Sequence, residues 1–204
     1  MRLIIVRHGE TVGNIKGIIQ GHLPGKLSKK GKVQAKKVAR RLKNEKIDHI
    51  YSSDLKRAED TAKEIAKYHK GVPLELTKEL RELYYGAFEG KRRDVVGYGK
   101  LPKNGETSEQ AIRRARHFLD TILHKHKKDT VLFVTHGTIG KAIITVIKNR
   151  RIRKRWSKKW WLHNTSVSIF KIYEDRRHRI HLFNDVKHLG RREAQHLKKK
   201  YAFK

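Results

Sequence analysis

Apolar residues arrive along this chain in short, bounded runs. Ile4, Ile5 and Val6 form a β-branched run that stops at Arg7, His8 and Gly9, and Thr130-Val131-Leu132-Phe133-Val134-Thr135 forms a longer one that stops at His136-Gly137. Runs of this length predict buried strands. Ile47 to Ser52, Pro73 to Leu76, Thr165 to Tyr173 and Ile180 to Phe183 read as further strands, the last after the basic turn Arg176-Arg177-His178. Between them the period changes. Ser28 is an N-cap for an amphipathic helix to about Glu45, with Val33, Val38, Ala39 and Leu42 at helical spacing. Asp54 to about Tyr68 carries Leu55, Ala58, Ala62 and Ile65 on one face, and residues 138 to 149 carry Ile139, Ala142, Ile143 and Val146. Thr107 followed by Gln110 is a capping box opening a helix to about Lys127.

Strands separated by helices predict an α/β fold: a three-layer α/β/α sandwich with a mostly parallel central sheet. The connection 12–27 is Gly-rich, 80–90 is irregular, and 91–105 is a basic loop whose Gly97-Tyr98-Gly99 follows no strand and makes no dinucleotide fingerprint. With no linker and no internal repeat, residues 1–190 read as one domain and 191–204 as a basic C-terminal tail, helical or disordered.

Composition narrows the classes. The absence of cysteine removes disulfides, thiolate metal sites and a cysteine nucleophile. No apolar run is long enough to span a bilayer and no signal-peptide core precedes the first strand, so a cytoplasmic protein is expected, monomer or homodimer. His117, His124 and His126 read as a solvated helix face rather than a metal site. The charge is unusual: 51 Lys and Arg against 20 Asp and Glu, a formal +31. Such a field attracts polyanions. From residue 140 onward there are 20 Lys/Arg against 4 Asp/Glu, and Arg150 to Trp161 interleaves cations with indoles. That run reads either as a nucleic-acid-binding stretch or as a basic loop whose tryptophans pack on the core, and the second reading is preferred.

An Arg-His pair ending a strand is by itself compatible with structure alone. Further segments change that reading: Ser52-Ser53-Asp54-Leu55-Lys56-Arg57-Ala58-Glu59-Asp60-Thr61-Ala62, Leu80-Arg81-Glu82, Gly86-Ala87-Phe88-Glu89-Gly90, Gly105-Glu106-Thr107, Thr135-His136-Gly137 and Asn164-Thr165-Ser166-Val167. Together with Arg7-His8-Gly9-Glu10-Thr11, and in this order, they resemble the histidine phosphatase superfamily, which includes cofactor-dependent phosphoglycerate mutases and small-molecule phosphatases. The resemblance implies a phosphoglycerate mutase-like fold and a phosphomonoester hydrolase acting through a phosphohistidine on a small anionic substrate.

It implies roles for residues. His8 is the nucleophile, with one neutral ring nitrogen attacking while the other donates to a backbone carbonyl. Arg7 and Arg57 supply guanidinium forks suited to phosphate oxygens. His136, protonated, holds the same oxygens with Gly137 beside it, and Asn14 adds a donor. Glu82 is the acid and base, with Glu89 and Glu106 as competitors; Glu106 otherwise reads as a residue interacting with a helix dipole. Glu10 and Thr11 are expected in the pocket floor, and Gln20, Gly21 and His22 where substrate is recognised. The mechanism calls for no metal and no other cofactor. Only 14 residues separate Gly90 from Gly105, so the site lacks a mutase's covering insertions and admits water, which favours phosphatase over mutase. The remaining alternative is a polyanion- or nucleic-acid-binding protein on this fold.

Overall fold

The computed structural model describes residues 1–97, 104–148, 160–175 and 177–200. Six strands form one sheet: β1 (Arg2–Arg7), β2 (His49–Ser53), β3 (Leu74–Thr77), β4 (Thr130–Thr135), β5 (Val167–Ile172) and β6 (His178–Asp185), in the order β3-β2-β4-β1-β5-β6. The first four are parallel; β5 runs antiparallel to β1, and β6 antiparallel to β5. The mostly parallel α/β sheet is thus borne out, with an antiparallel pair closing one side.

Strict alternation along the strands divides the core. Leu3 and Ile5 of β1, Val131 and Phe133 of β4, and Phe170 of β5 face α5 (Ser108–Lys125) and α6 (Gly137–Ile147). Ile4 and Val6, Leu132 and Val134, and Ile169 face α2 (Lys29–Leu42) and α3 (Lys56–Ala66). All ten are buried, so the runs are apolar on both sides because helices cover both. The capping box of Thr107 and Gln110 forms as expected.

Two features depart from the sequence pattern, and a third takes one of the two forms expected for it. A short helix α1 (Val12–Ile15), capped by Thr11, interrupts the connection read as loop. Another, α4 (Arg93–Val96), lies in the basic segment 91–105, of which residues 98–103, including the Tyr98-Gly99 of the discounted fingerprint, lie outside the described residues. The C-terminal stretch forms α7 (Arg191–Lys200), which docks on α2 through Glu193, bonded to Gln34 and Lys30, while Leu197 packs on Val186 and Leu189. Among the described residues no helix is long and apolar enough to cross a membrane.

Candidate active site

β1 and β4 are neighbours with Arg7 opposite Thr135, so both strands deliver the residue after their last rung to the same place at the carboxyl edge of the sheet. His8 and His136 meet there, ring centroids 5.0 Å apart, and the His8 amide bonds the Thr135 carbonyl at 2.9 Å. Both rings are buried, with 3% and 0% exposed. His8 Nδ1 lies 2.7 Å from the Gly9 carbonyl, an acceptor only, so Nδ1 carries the proton and Nε2 bears a lone pair. Burial, then Arg57 and Arg7, hold the His8 pKa well below the ordinary value, so the ring is neutral.

His136, expected to be protonated while it holds phosphate oxygens, is neutral in the ligand-free site. Its Nδ1 accepts from Arg57 Nε at 3.2 Å and its Nε2 lies 2.8 Å from Ser53 Oγ, a pattern that requires a neutral ring. Burial, Arg57, His8 and Arg7 push its pKa well below normal. A protonated His136 therefore does not belong to the ligand-free site; only an arriving anion reverses that field.

Arg57 lies in the first turn of α3 and is 1% exposed. It also donates one N–H each to the carbonyls of Gly21 (2.7 Å) and Leu23 (3.0 Å), so the hydrogen bonds it makes end on neutral acceptors. Burial lowers its pKa to about 10, which leaves it charged at neutral pH. Arg7 donates to the Leu162 carbonyl at 2.6 Å, and its guanidinium lies 5.0 Å from the centre of the Trp161 ring. Gly137 permits this packing, since a Cβ there would come within 3.3 Å of Trp161 and 3.5 Å of Arg7. Two guanidiniums and two neutral imidazoles thus line one buried corner, which suits an anion.

Glu82 is held at the rim. Its carboxylate accepts from the amides of Thr138 (3.0 Å) and Ile139 (3.1 Å) in the first turn of α6, and from that of Leu83 (3.0 Å). His136 is the N-cap of α6 but gives no side-chain cap, so Glu82 satisfies the orphan donors of that turn. The segment leading to it is anchored twice: Arg114 donates to the carbonyls of Glu79 and Arg81, and Arg81 makes a two-pronged ion pair with Asp54 at 2.6 and 2.5 Å. Arg81 holds the Asp54 carboxyl below its usual range. Tyr85 Oη lies 2.9 Å from Thr138 Oγ1, and burial, with Glu82 nearby, raises its pKa to about 12.

The competing carboxylates are occupied. Glu89 Oε1 accepts from the amides of His22 and Tyr85, stapling the 20–23 connection to the 85–89 turn. Glu106 is paired with Arg114 at 2.8 and 2.9 Å, so its partner is a side chain rather than the helix dipole. Glu10 turns out of the pocket, its carboxylate accepting from Ser28 Oγ, and Thr11 caps α1.

Asn14 Oδ1 accepts from the Thr11 amide and from Asn164 Nδ2, which also donates to the His8 carbonyl at 3.0 Å. The Asn14 amide is therefore oriented with Nδ2 as its donor end. Gln20 packs between Gly13 and Gly25 beside Arg57. Gly21 sits at φ +48°, where a Cβ would be 1.8 Å from Glu89 Oε1, so only glycine lets the loop close on that staple. His22 Nε2 donates to the Glu82 carbonyl at 2.8 Å and its ring stands against Tyr84.

Sequence reasoning assigned no role to Ser53, Arg114 or Asn164. Of the indole-bearing run, residues 149–159 lie outside the described residues; Trp160 packs on the core against Phe183, as the preferred reading expected, whereas Trp161 lies on Arg7. His126 is not on a solvated face: it is buried, bonded to Tyr51 Oη and paired with Asp129.

Residues 3–186 match the model of the histidine phosphatase superfamily (branch 1). Phosphoglycerate mutase-like protein 4 of Arabidopsis thaliana is 34% identical over 92% of this chain and 86% of its own length. The metal-independent phosphoserine phosphatase of the same plant is 34% identical over 92% and 83%. Among solved structures, phosphoserine phosphatase from Entamoeba histolytica in complex with 3-phosphoglyceric acid superposes with a TM-score of 0.81 at 27% identity, covering 93% of this chain and 99% of that one.

Proposed function

Because the chain belongs to the histidine phosphatase superfamily, we propose that it hydrolyses small phosphomonoesters through a phosphohistidine on His8. The observation that carries this reading is the bare Nε2 of a neutral, buried His8 set beside Arg7 and Arg57. A phosphoryl group in flight carries its charge on three peripheral oxygens, so positioning and cationic clamping dominate its catalysis. Arg7, Arg57, His136, the Asn14 amide and the amide end of α6 at Gly137 receive those oxygens.

In the first step the His8 Nε2–phosphorus bond forms as the bond to the leaving oxygen breaks, and that oxygen takes a proton from the Glu82 carboxyl. In the second, water attacks phosphorus and gives its proton to the Glu82 carboxylate. The nitrogen–phosphorus bond breaks, releasing inorganic phosphate and restoring neutral His8. Neither step calls on a metal. The substrate class is a small phosphorylated acid such as phosphoserine, supported by the relatives' activities and by Gly21 and His22 at the rim beside Glu82. Hydrolysis is favoured over mutase exchange by the short segment between Gly90 and Gly105.

A panel of phosphomonoesters assayed in chelator, with wild type and His8→Ala, tests the reading. Wild type is expected to release phosphate from phosphoserine or a similar acid, and His8→Ala to lose at least about a thousandfold in kcat/KM. Full activity in His8→Ala, or exchange between phosphoglycerate isomers without net hydrolysis, overturns it.

A further inference from the structure

Most of the +31 charge lies outside the proposed phosphate site, and one element displays it in an ordered way. Helix α2 contains no acidic residue. Gly31, Gln34, Ala35, Val38, Ala39 and Leu42 bury its inner face. Gly31 marks how closely it docks, since a Cβ there would lie 1.9 Å from the Glu10 carbonyl oxygen. A flanking row of cations is engaged: Lys30 with Glu193, Lys37 with the Leu189 carbonyl, Arg41 with Glu45.

The outer row is different. Lys29, Lys32, Lys36, Arg40 and Lys43 follow one another at intervals of three or four residues, and all five are exposed. At 100° per residue they fall within an arc of about 80°, spread along about 21 Å of helix. Among the described residues none of them forms an ion pair. The adjacent helix α3 supplies the contrast: its Lys56, Lys63 and the neighbouring Lys67 each pair with a carboxylate one turn away, Asp60, Glu59 and Glu64. One helix neutralises its lysines internally, and its neighbour on the same face of the sheet leaves a rigid, unneutralised ridge.

We propose that this ridge of α2 binds nucleic acid through its phosphate backbone, without sequence preference. A strand advances about 3.4 Å of helix axis per phosphate, so 21 Å of ridge lies along about six of them. The ridge carries no aromatic residue to stack on bases and no amide to read their edges, which restricts it to phosphates. A bilayer fits less well: the only apolar side chain in the row is Val33, and the neutralised surface of α3 alongside prevents a plane of cations from forming.

Fluorescence anisotropy of a labelled 20-base-pair duplex, titrated with protein over a series of KCl concentrations, tests the proposal. For wild type, log K is expected to fall linearly with log salt. In K29Q/K32Q/K36Q/R40Q/K43Q the slope is expected to shrink by about 4 to 5 and the affinity at low salt to drop at least tenfold. Phosphatase activity on a small substrate reports that this variant is folded. K56Q/K63Q/K67Q also lowers the net charge, by three, but away from the ridge, and is expected to lose far less affinity per charge removed than the α2 variant. Unchanged binding by the α2 variant overturns the proposal. So does a loss in the α3 variant proportional to its charge, which makes net charge the determinant. Binding of wild type to phosphatidylserine vesicles but not to duplex overturns it in favour of a membrane.

Discussion

Two pairs of histidines stand at opposite ends of the central strands with the same 5.0 Å between ring centres. One is His8 with His136, the other His49 with His126. At the amino-terminal end His49 stacks on Tyr51, the Tyr51 hydroxyl meets both His126 Nε2 (3.0 Å) and Lys125, His126 Nδ1 meets Asp129 (2.8 Å), and Glu75 lies 3.6 Å from His49. His126 there has its carboxylate in Asp129, and Lys125 donates to the Tyr51 hydroxyl. At the carboxyl-terminal end the rings share their space with Arg7 and with Arg57, and the Arg57 hydrogen bonds end on two carbonyls and on His136 itself. An imidazole pair is therefore no sign of chemistry. What distinguishes the two is whether a carboxylate bonds the imidazole: Asp129 does so for His126, whereas His8 is bonded to a carbonyl and His136 to Ser53 and Arg57, a setting that an arriving anion can complete.

The largest effect expected from altering that difference is at Arg57. Arg57→Gln removes the central cation together with the hydrogen bond to His136, and kcat/KM is expected to fall by about 10²–10³, the usual cost of one oxyanion donor. Arg57→Lys keeps the charge but loses the fork that reaches Gly21, Leu23 and His136 together, so most of the loss should persist. Activity within tenfold of wild type for Arg57→Gln, measured on phosphoserine, breaks the contrast between the two ends.

Much of that contrast could be read from the chain. The strand runs and the His-Gly ends placed His8 and His136 at one sheet edge, because a fully buried parallel strand leaves an unbroken apolar signature. The choice among Glu82, Glu89 and Glu106 was harder, since all three stand in the same Gly-rich region and differ only in partners that the fold supplies: the first turn of α6 for Glu82, His22 for Glu89 and Arg114 for Glu106. Arg114 and Trp161 were invisible for the same reason: a cation on an amphipathic helix or an indole in a basic run does not announce that it holds a carbonyl or covers Arg7. The His126 misreading was avoidable. Asp129 follows it by three residues at the helix end, where an imidazole and a carboxylate can meet, and that spacing was available in the sequence.

The opposite end offers a smaller but cleaner test. His126→Ala breaks the chain from Tyr51 to Asp129 inside a buried cluster and is expected to cost about 1–3 kcal/mol of stability. It should leave kcat/KM within about twofold, because it touches nothing at the phosphate site. Denaturant unfolding and steady-state kinetics on the same preparation separate the two effects. A large loss of activity with intact stability would mean that the two histidine pairs are coupled, and the division drawn above would fail.

The smallest expected effect is a fraction of a proton. In the free site His136 is neutral because burial and Arg57, with His8 and Arg7, press its pKa well below normal. A phosphate dianion placed among the same groups favours the charged imidazole and raises that pKa. Between the two values the bound site holds more protons than the free one, so binding sulfate, which stands in for the phosphate dianion and carries no titrating proton of its own near about pH 7, should take up a proton in part, and the uptake should vanish once pH exceeds the bound-state pKa. Calorimetry of sulfate binding in two buffers of different ionisation enthalpy reads the number directly. His136→Gln should abolish most of it while His49→Gln leaves it unchanged, since no anion enters beside Tyr51. Zero uptake in wild type would mean that Arg7 and Arg57 alone balance the dianion and that His136 stays neutral throughout, reducing its part in the site to orienting Arg57.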